Sequence, residues 1–193
     1  MGSSTEVQAL TLSSLFSDHM VLQRDKPVRL WGEAPASQTV SVNVLGKRYS
    51  TQAAPNGDWE IILPAHNKAG PFNITIVADE TKTIQDVYFG EVWIASGQSN
   101  MEWKLKGDVI GKDDELATAN RPLIRFFDVP YALAATKQTH LPKSHWQVAS
   151  SKNAGYFSAV AWFLLENYKN KKKSRLGLSK VTGAARQLKL GLI

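Results

Sequence analysis

Cysteine is missing altogether from the 193 residues. That excludes disulfide staples, thiolate chemistry and any zinc site built on cysteine. Long apolar stretches are missing too. The longest uninterrupted one, Ala159 to Leu165, falls far short of the roughly 20 residues that cross a bilayer as a helix, so membrane insertion is not expected. Met1 to Val7 has neither the basic start nor the apolar centre of a secretory leader. No repeat of fixed period is visible. Negative charge is absent from one end: eight of the 23 basic residues and none of the 17 acidic ones lie between positions 169 and 193. Residues 1–168 therefore hold 15 basic against 17 acidic side chains, and the net charge of +6 belongs to the tail. A basic protein invites an anionic partner. This tail has no interleaved aromatic and no nucleic-acid-binding motif, so it reads as a solvated run, and nucleic acid is not an expected partner.

What is present suits a packed core: 43% of residues are hydrophobic and 21% charged. From Leu10 to Phe89 short strands alternate with turn residues. Val40, Val42 and Val44 share one face of Thr39 to Leu45, and Phe72, Ile74 and Ile76 share one face of Phe72 to Ala78. Gly46-Lys47 is expected to turn the chain into Arg48 to Thr51, and Asn56-Gly57, a pair favoured in type I′ hairpins, precedes Trp59 to Leu63. Met20 to Gln23, Val28 to Gly32 and Ile84 to Tyr88 complete the set. At least six short strands with frequent turns predict an all-β sandwich of jelly-roll or immunoglobulin type over residues 10–89.

The pattern then changes. Glu91 to Ala95 is a compact strand that runs into Ser96-Gly97-Gln98-Ser99-Asn100. Met101 to Leu105 and Asp113 to Ala119 are helical candidates, Ile124 to Val129 a strand, and Phe157 to Tyr168 a helix. Strand, turn, helix, strand, helix is how an α/β domain opens, which sets a boundary near residue 90 and an α/β domain over 90–193.

Ser99 is the candidate nucleophile. A serine on a tight strand-to-helix turn stands above the sheet edge, where α/β folds bind ligands. Gly97 would permit the sharp turn, and the helix N-terminus would offer free N–H groups, that of Ser99 included, to a developing oxyanion. Gln98 and Asn100 flank it as candidate substrate-binding residues. The plainer alternative is that Ser96 or Ser99 is a helix N-cap.

Gly90-Glu91-Val92-Trp93-Ile94-Ala95-Ser96-Gly97-Gln98-Ser99-Asn100-Met101-Glu102-Trp103 closely resembles the nucleophile block of the sialate O-acetylesterases, members of the SGNH (GDSL-like) hydrolase superfamily. Leu15 to Gln23 (Leu-Phe-Ser-Asp-His-Met-Val-Leu-Gln), Pro27, Trp31-Gly32, Asn56 to Trp59, Ala69 to Pro71 and Phe157 to Phe163 resemble further blocks of that family, in order, from about Leu12 to Phe163. The resemblance implies a β-sandwich module followed by the start of a flavodoxin-like SGNH hydrolase domain. It implies that Ser99 attacks the acetyl group of an O-acetylated sialic acid or other acetylated glycan, with no metal and no cofactor. It also implies a secreted, periplasmic or lysosomal setting.

The chain departs from the family in its second half. The family's catalytic base is a His in an Asp-x-x-His block, and none occurs here: His140 follows Lys137 and His145 follows Pro142 at that spacing. His19, His66, His140 and His145 are expected in surface or locally bonded roles. An ungapped alignment lays the family's oxyanion block on Val181 to Arg186, where a shift of one residue recruits Gly183. Alternatively Leu190 to Ile193 meets the preceding family strand, with an insertion before it. The base is thus expected to lie beyond these residues, as in a truncated or frameshifted product, and the chain to be nearly inactive. A second reading is a non-catalytic carbohydrate-binding protein whose Trp31 or Trp59 stacks on sugars. Oligomeric state is not encoded in any pattern read here.

Overall fold

Strict alternation builds the first half of the chain. The structure, a computed structural model, describes residues 9–129, 141–176 and 182–186. Eight strands come first: β1 (Thr11–Leu12), β2 (Val21–Gln23), β3 (Val28–Glu33), β4 (Thr39–Val44), β5 (Lys47–Gln52), β6 (Asp58–Leu63), β7 (Phe72–Val77) and β8 (Thr81–Ala95). There follow α1 (Ser99–Glu102), α2 (Lys112–Ala117), β9 (Arg121–Asp128), β10 (Trp146–Ala149), a 3-10 turn at Ala154–Tyr156, α3 (Ala159–Leu176) and β11 (Thr182–Arg186). The chain is mostly strand with few helices.

One sheet is three-stranded and antiparallel, in the order β1-β3-β6. The other runs β10-β9-β11-β8-β7-β4-β5, with β2 also paired to β8. Leu30, Trp59, Ile61 and Leu63 from the first share one apolar core with Val40, Val42, Val44, Ile74, Ile76 and Ile84 from the second. Each such side chain removed from water contributes about 2 kcal/mol, so the alternation is the main force holding this half. Two turns differ from the sequence reading. The β4–β5 hairpin turns at Leu45-Gly46, one residue early, and both residues have positive φ (50° and 75°), as a two-residue type I′ turn needs. At Asn56-Gly57 only the glycine is left-handed, and the turn carries the chain from β5 in the large sheet to β6 in the small one.

β8 is the longest strand, at 15 residues, and runs unbroken through position 90. Its first part pairs with β7, Tyr88 to Gly90 pair with β2, and Glu91 to Ala95 pair in parallel with β11. Between Ile84 and Val87 it carries one residue more than β7 does opposite, a bulge at which Asp86 takes a left-handed backbone (φ 54°).

A second core forms on the far part of the large sheet. Ile124 and Phe126 of β9 meet Ala161, Trp162 and Leu165 of α3, together with Leu105 and Phe157. Phe126 and Phe157 stack with centroids 4.5 Å apart. Phe127, the next residue of β9, instead joins the first core beside Trp146. The indole N–H of Trp162 donates to Glu115 of α2, and Arg121 ion-pairs with Glu166 of α3 at 3.3 Å.

Arg125 joins the two halves. Its side chain is 3% exposed. Nη1 donates to the carbonyls of His19 (3.2 Å) and Asp86 (2.6 Å), and Nη2 lies 3.0 Å from the Asp86 carboxylate. The guanidinium also stands over the Tyr88 ring at 4.3 Å. His19 Nδ1 bonds the same Asp86 oxygen at 2.6 Å. Both residues whose carbonyls Arg125 takes have positive φ, which costs roughly 1 kcal/mol or more apiece and is held by these bonds.

Replacing Arg125 with Met should destabilise the protein by about 3 kcal/mol, because two carbonyls and a carboxylate lose their donor. Urea denaturation measures this, and a loss under about 0.5 kcal/mol would remove Arg125 from its central role. Burial alone would raise the Asp86 pKa, but hydrogen bonds from His19 and Arg125 and the Arg125 charge outweigh it and hold the carboxyl below its ordinary 3.8. The folded state thus binds this proton more weakly than the unfolded chain does. Its pairing stabilises fully above about pH 4 and is lost as pH falls through the lower folded-state value. Asp86→Asn should flatten the acid limb of a stability-versus-pH profile, and an unaltered limb would show that other carboxylates govern it.

Candidate active site

The polypeptide leaves β8 at Ala95, which is buried, and Ser96 to Asn100 are all exposed. α1 is a single turn. Its internal bonds begin with the N–H groups of Met101 and Glu102, which both donate to the Gln98 carbonyl (2.9 and 3.3 Å). The amides of Ser99 and Asn100 are therefore not consumed within the turn. Gln98 occupies the cap position without a side-chain cap bond, and Ser99 follows as the first helical residue. Neither Ser96 nor Ser99 caps the helix with its hydroxyl, which leaves the plainer alternative unsupported. Two details correct the sequence reading. Gly97 is not left-handed. A Cβ there would approach the Met101 Cβ to 3.2 Å, so close packing is what favours glycine. A four-residue helix also sums few peptide dipoles, so local N–H groups, not a macrodipole, are what α1 offers an anion.

The turn is held from behind. The segment after α1 zips in antiparallel fashion onto the start of α3. Ala159 N–H donates to the Trp103 carbonyl (2.8 Å), Leu105 N–H to Phe157 (3.0 Å) and Lys106 N–H to Gly155 (3.0 Å), and Lys104 bridges to Ser158. Leu105 is fully buried between them. Ser158, also fully buried, caps α3 by accepting from the Ala161 N–H at 3.4 Å and turns its own hydroxyl toward Met101 Sδ. Sequence reasoning missed this support because backbone-to-backbone bonds leave no residue signature.

The strand itself is fixed four residues before its end, at Glu91. That carboxylate meets Arg24 (2.9 Å), Gln23 (3.3 Å) and the Tyr168 hydroxyl on α3. Burial pushes the Tyr168 phenol up, and the charge and hydrogen bond of Glu91 push the same way against a smaller opposing effect of Arg24. The Trp93 and Tyr168 rings pack edge to face at 5.3 Å.

The other candidates fall elsewhere. His19 is paired with Asp86, the His66 ring lies against Phe89 (5.2 Å), His145 is exposed and His140 lies outside the described residues. Among the described residues Ser99 makes no hydrogen bond to a histidine. Gly183 stands within β11 opposite Val92 and Arg125, three residues before the strand ends. Val92 precedes Ala95 by three residues, about 10 Å of strand, so Gly183 is not level with the Ser99 turn. Its register is that of a mid-strand residue. Leu190 to Ile193 lies outside the described residues. Gln98 and Asn100 flank Ser99 in the exposed turn. Trp59 is 3% exposed in the first core, and Trp31 is half-buried, edge-on to Phe16 at 4.6 Å. Neither offers the open face that the sugar-stacking alternative needs. Among the described residues no group of three or more histidine, aspartate or glutamate side chains could hold a metal, and no helix is long and apolar enough to cross a membrane.

No protein-family model matches the chain. Curated relatives do. The sialate O-acetylesterase of Rattus norvegicus is 28% identical over 170 residues, covering 78% of this chain and 31% of its own length. That of Homo sapiens is also 28% identical over 170 residues, at 78% and 32%. Among solved structures, a carbohydrate acetylesterase from Xanthomonas citri superposes with a TM-score of 0.86 and 32% identity, covering 92% of this chain and 40% of that one. The described strands, the turn bearing Ser99 and these likenesses converge: the chain is a homologue of the sialate O-acetylesterases that spans about a third of their length.

Proposed function

We propose that this chain carries the nucleophile portion of a carbohydrate O-acetylesterase, with a β-sandwich module over residues 10–89 and the opening of an SGNH hydrolase domain after it. The observation that carries the reading is the exposed Ser99 at the end of β8, beside two uncommitted backbone amides, in a chain that superposes on a carbohydrate acetylesterase. Ser99 Oγ forms a bond to the acetyl carbonyl carbon while its proton passes to a base. The carbonyl oxygen takes up negative charge and is met by the Ser99 amide. The C–O bond to the sugar then breaks, the sugar oxygen regains a proton, and water releases acetate from the acyl-serine. The substrate class is an O-acetylated sialic acid or a related acetylated sugar. Neither metal nor organic cofactor enters these steps.

The resemblance to the sialate O-acetylesterases implies a histidine base, and none of the described histidines bonds Ser99. Lacking a triad member typically costs three or more orders of magnitude in rate, while an oxyanion site alone retains some. The 193-residue chain should therefore acetylate slowly on Ser99 when given p-nitrophenyl acetate, seen as an acetyl adduct on the Ser99 peptide by mass spectrometry. Release of acetate from 9-O-acetyl sialic acid should be barely above buffer. Ser99→Ala should abolish the adduct. Adduct or turnover unchanged in that variant would reject Ser99 as nucleophile, and fast Ser99-dependent turnover would reject the inference drawn from the histidines.

A further inference from the structure

Six tryptophans serve this fold, and five are accounted for. Trp59 is in the first core and Trp31 lies edge-on to Phe16. Trp93 packs on Tyr168, Trp146 donates its indole N–H to the Leu15 carbonyl (2.9 Å), and Trp162 donates to Glu115. Trp103 is different. It is 51% exposed, the most open of the six. Leaving an indole in water forgoes one of the larger apolar contributions a side chain can make.

Its place is equally specific. Ser99 begins the single turn of α1 and Trp103 follows it as the C-cap, four residues on, where the backbone becomes extended (φ −61°, ψ 116°). Residues four apart on a helix share a face, with Cβ atoms about 5–6 Å apart. The Trp103 backbone is anchored by the bond from Ala159, and the edge of its ring lies against Gly107, where a Cβ would come within 3.0 Å of the indole nitrogen. The ring is thus anchored four residues after Ser99 and left half exposed. Tyr156 is also exposed nearby, but Lys106 Nζ stands over its ring at 3.7 Å and occupies one face.

We propose that Trp103 is the platform on which the sugar ring of the ester substrate rests while Ser99 meets the acetyl carbonyl. This rests on the esterase reading of Ser99 and adds a substrate-positioning residue to it. The acetyl carbon is three bonds from the ring in a 6-O-acetyl hexopyranoside and five in a 9-O-acetyl sialic acid, so in either ester the sugar ring lies within a long side chain's reach of Ser99. The apolar C–H face of a pyranose carries slight positive charge and complements the electron-rich face of indole, whereas its hydroxyl edge does not.

The test is an NMR titration of the 193-residue chain with 9-O-acetyl-N-acetylneuraminic acid and with methyl 6-O-acetyl-glucopyranoside. At least one sugar ester should shift the Trp103 indole N–H resonance. Trp103→Ala should raise its Kd about tenfold, Trp103→Phe about threefold or less, and both should melt as the parent does. Ser99→Ala should bind like the parent. The proposal is overturned if neither ester moves the indole resonance, or if Trp103→Ala binds as tightly as the parent. A Ser99→Ala variant that still forms the acetyl adduct would instead overturn the esterase reading, while the indole shift continues to report on Trp103 alone.

Discussion

A single buried guanidinium decides how the two halves of this chain meet. Arg125 comes from a strand of the second half and reaches into the first for two main-chain carbonyls, one carboxylate and an aromatic face, while its Nε and Nη2 also donate to the Pro122 carbonyl of its own strand. An arginine hidden from water is tolerable only when its fork is filled this completely. The geometry leaves no slack, because the carbonyls it needs come from residues whose backbones are bent into the left-handed region. With Arg125 seated, β9 is held beside β8 through β11, and the Ser99 turn is carried at the end of a braced strand.

Similar contacts explain the block from Leu15 to Gln23, with Arg24 after it, which sequence alone identifies as a signature without saying what it does. Its polar groups either reach across the junction or brace the bulge of β8 that Arg125 grips. The Leu15 carbonyl and Ser17 hold Trp146, Asp18 holds the Gln85 amide, and His19 holds Asp86. Gln23 takes the Val92 amide, and Arg24 takes Glu91. His19 accordingly belongs to a structural clasp, where its partner is an aspartate, and a histidine–aspartate pair need not signal catalysis.

Local rules carried the sequence reading a long way. Valine and isoleucine at every second position gave the strands of the first half, since a half-buried strand leaves no other way to bury one face. The exposed turn at Ser99 was legible for a similar reason: a strand, a glycine and a serine form a short, contiguous pattern. What was not legible is non-local. Ile84 to Tyr88 and Glu91 to Ala95 looked like two strands, and nothing in Phe89-Gly90 announces that they are one. Asn56-Gly57 is a strong hairpin pair, yet partner choice by the buried face of Trp59, Ile61 and Leu63 sends β6 to the other sheet. Gly183 drew interest through alignment register, a quantity that a divergent segment does not preserve.

The extra residue in β8 has a wider effect than the bend it makes. Before the bulge, Ile84 faces inward, an even-numbered position; after it Val87, Phe89 and finally Ala95 do, all odd. One inserted residue has reversed the phase of everything downstream. Trp93 and Ala95 are thereby sent to the side of α3 and the second core, and 57%-exposed Ile94 to the other. Removing that residue would exchange the two sets, setting Ile94 against α3 and moving Ser99 one residue along the strand axis. The direction in which Ser99 emerges is therefore written thirteen positions upstream, at Asp86.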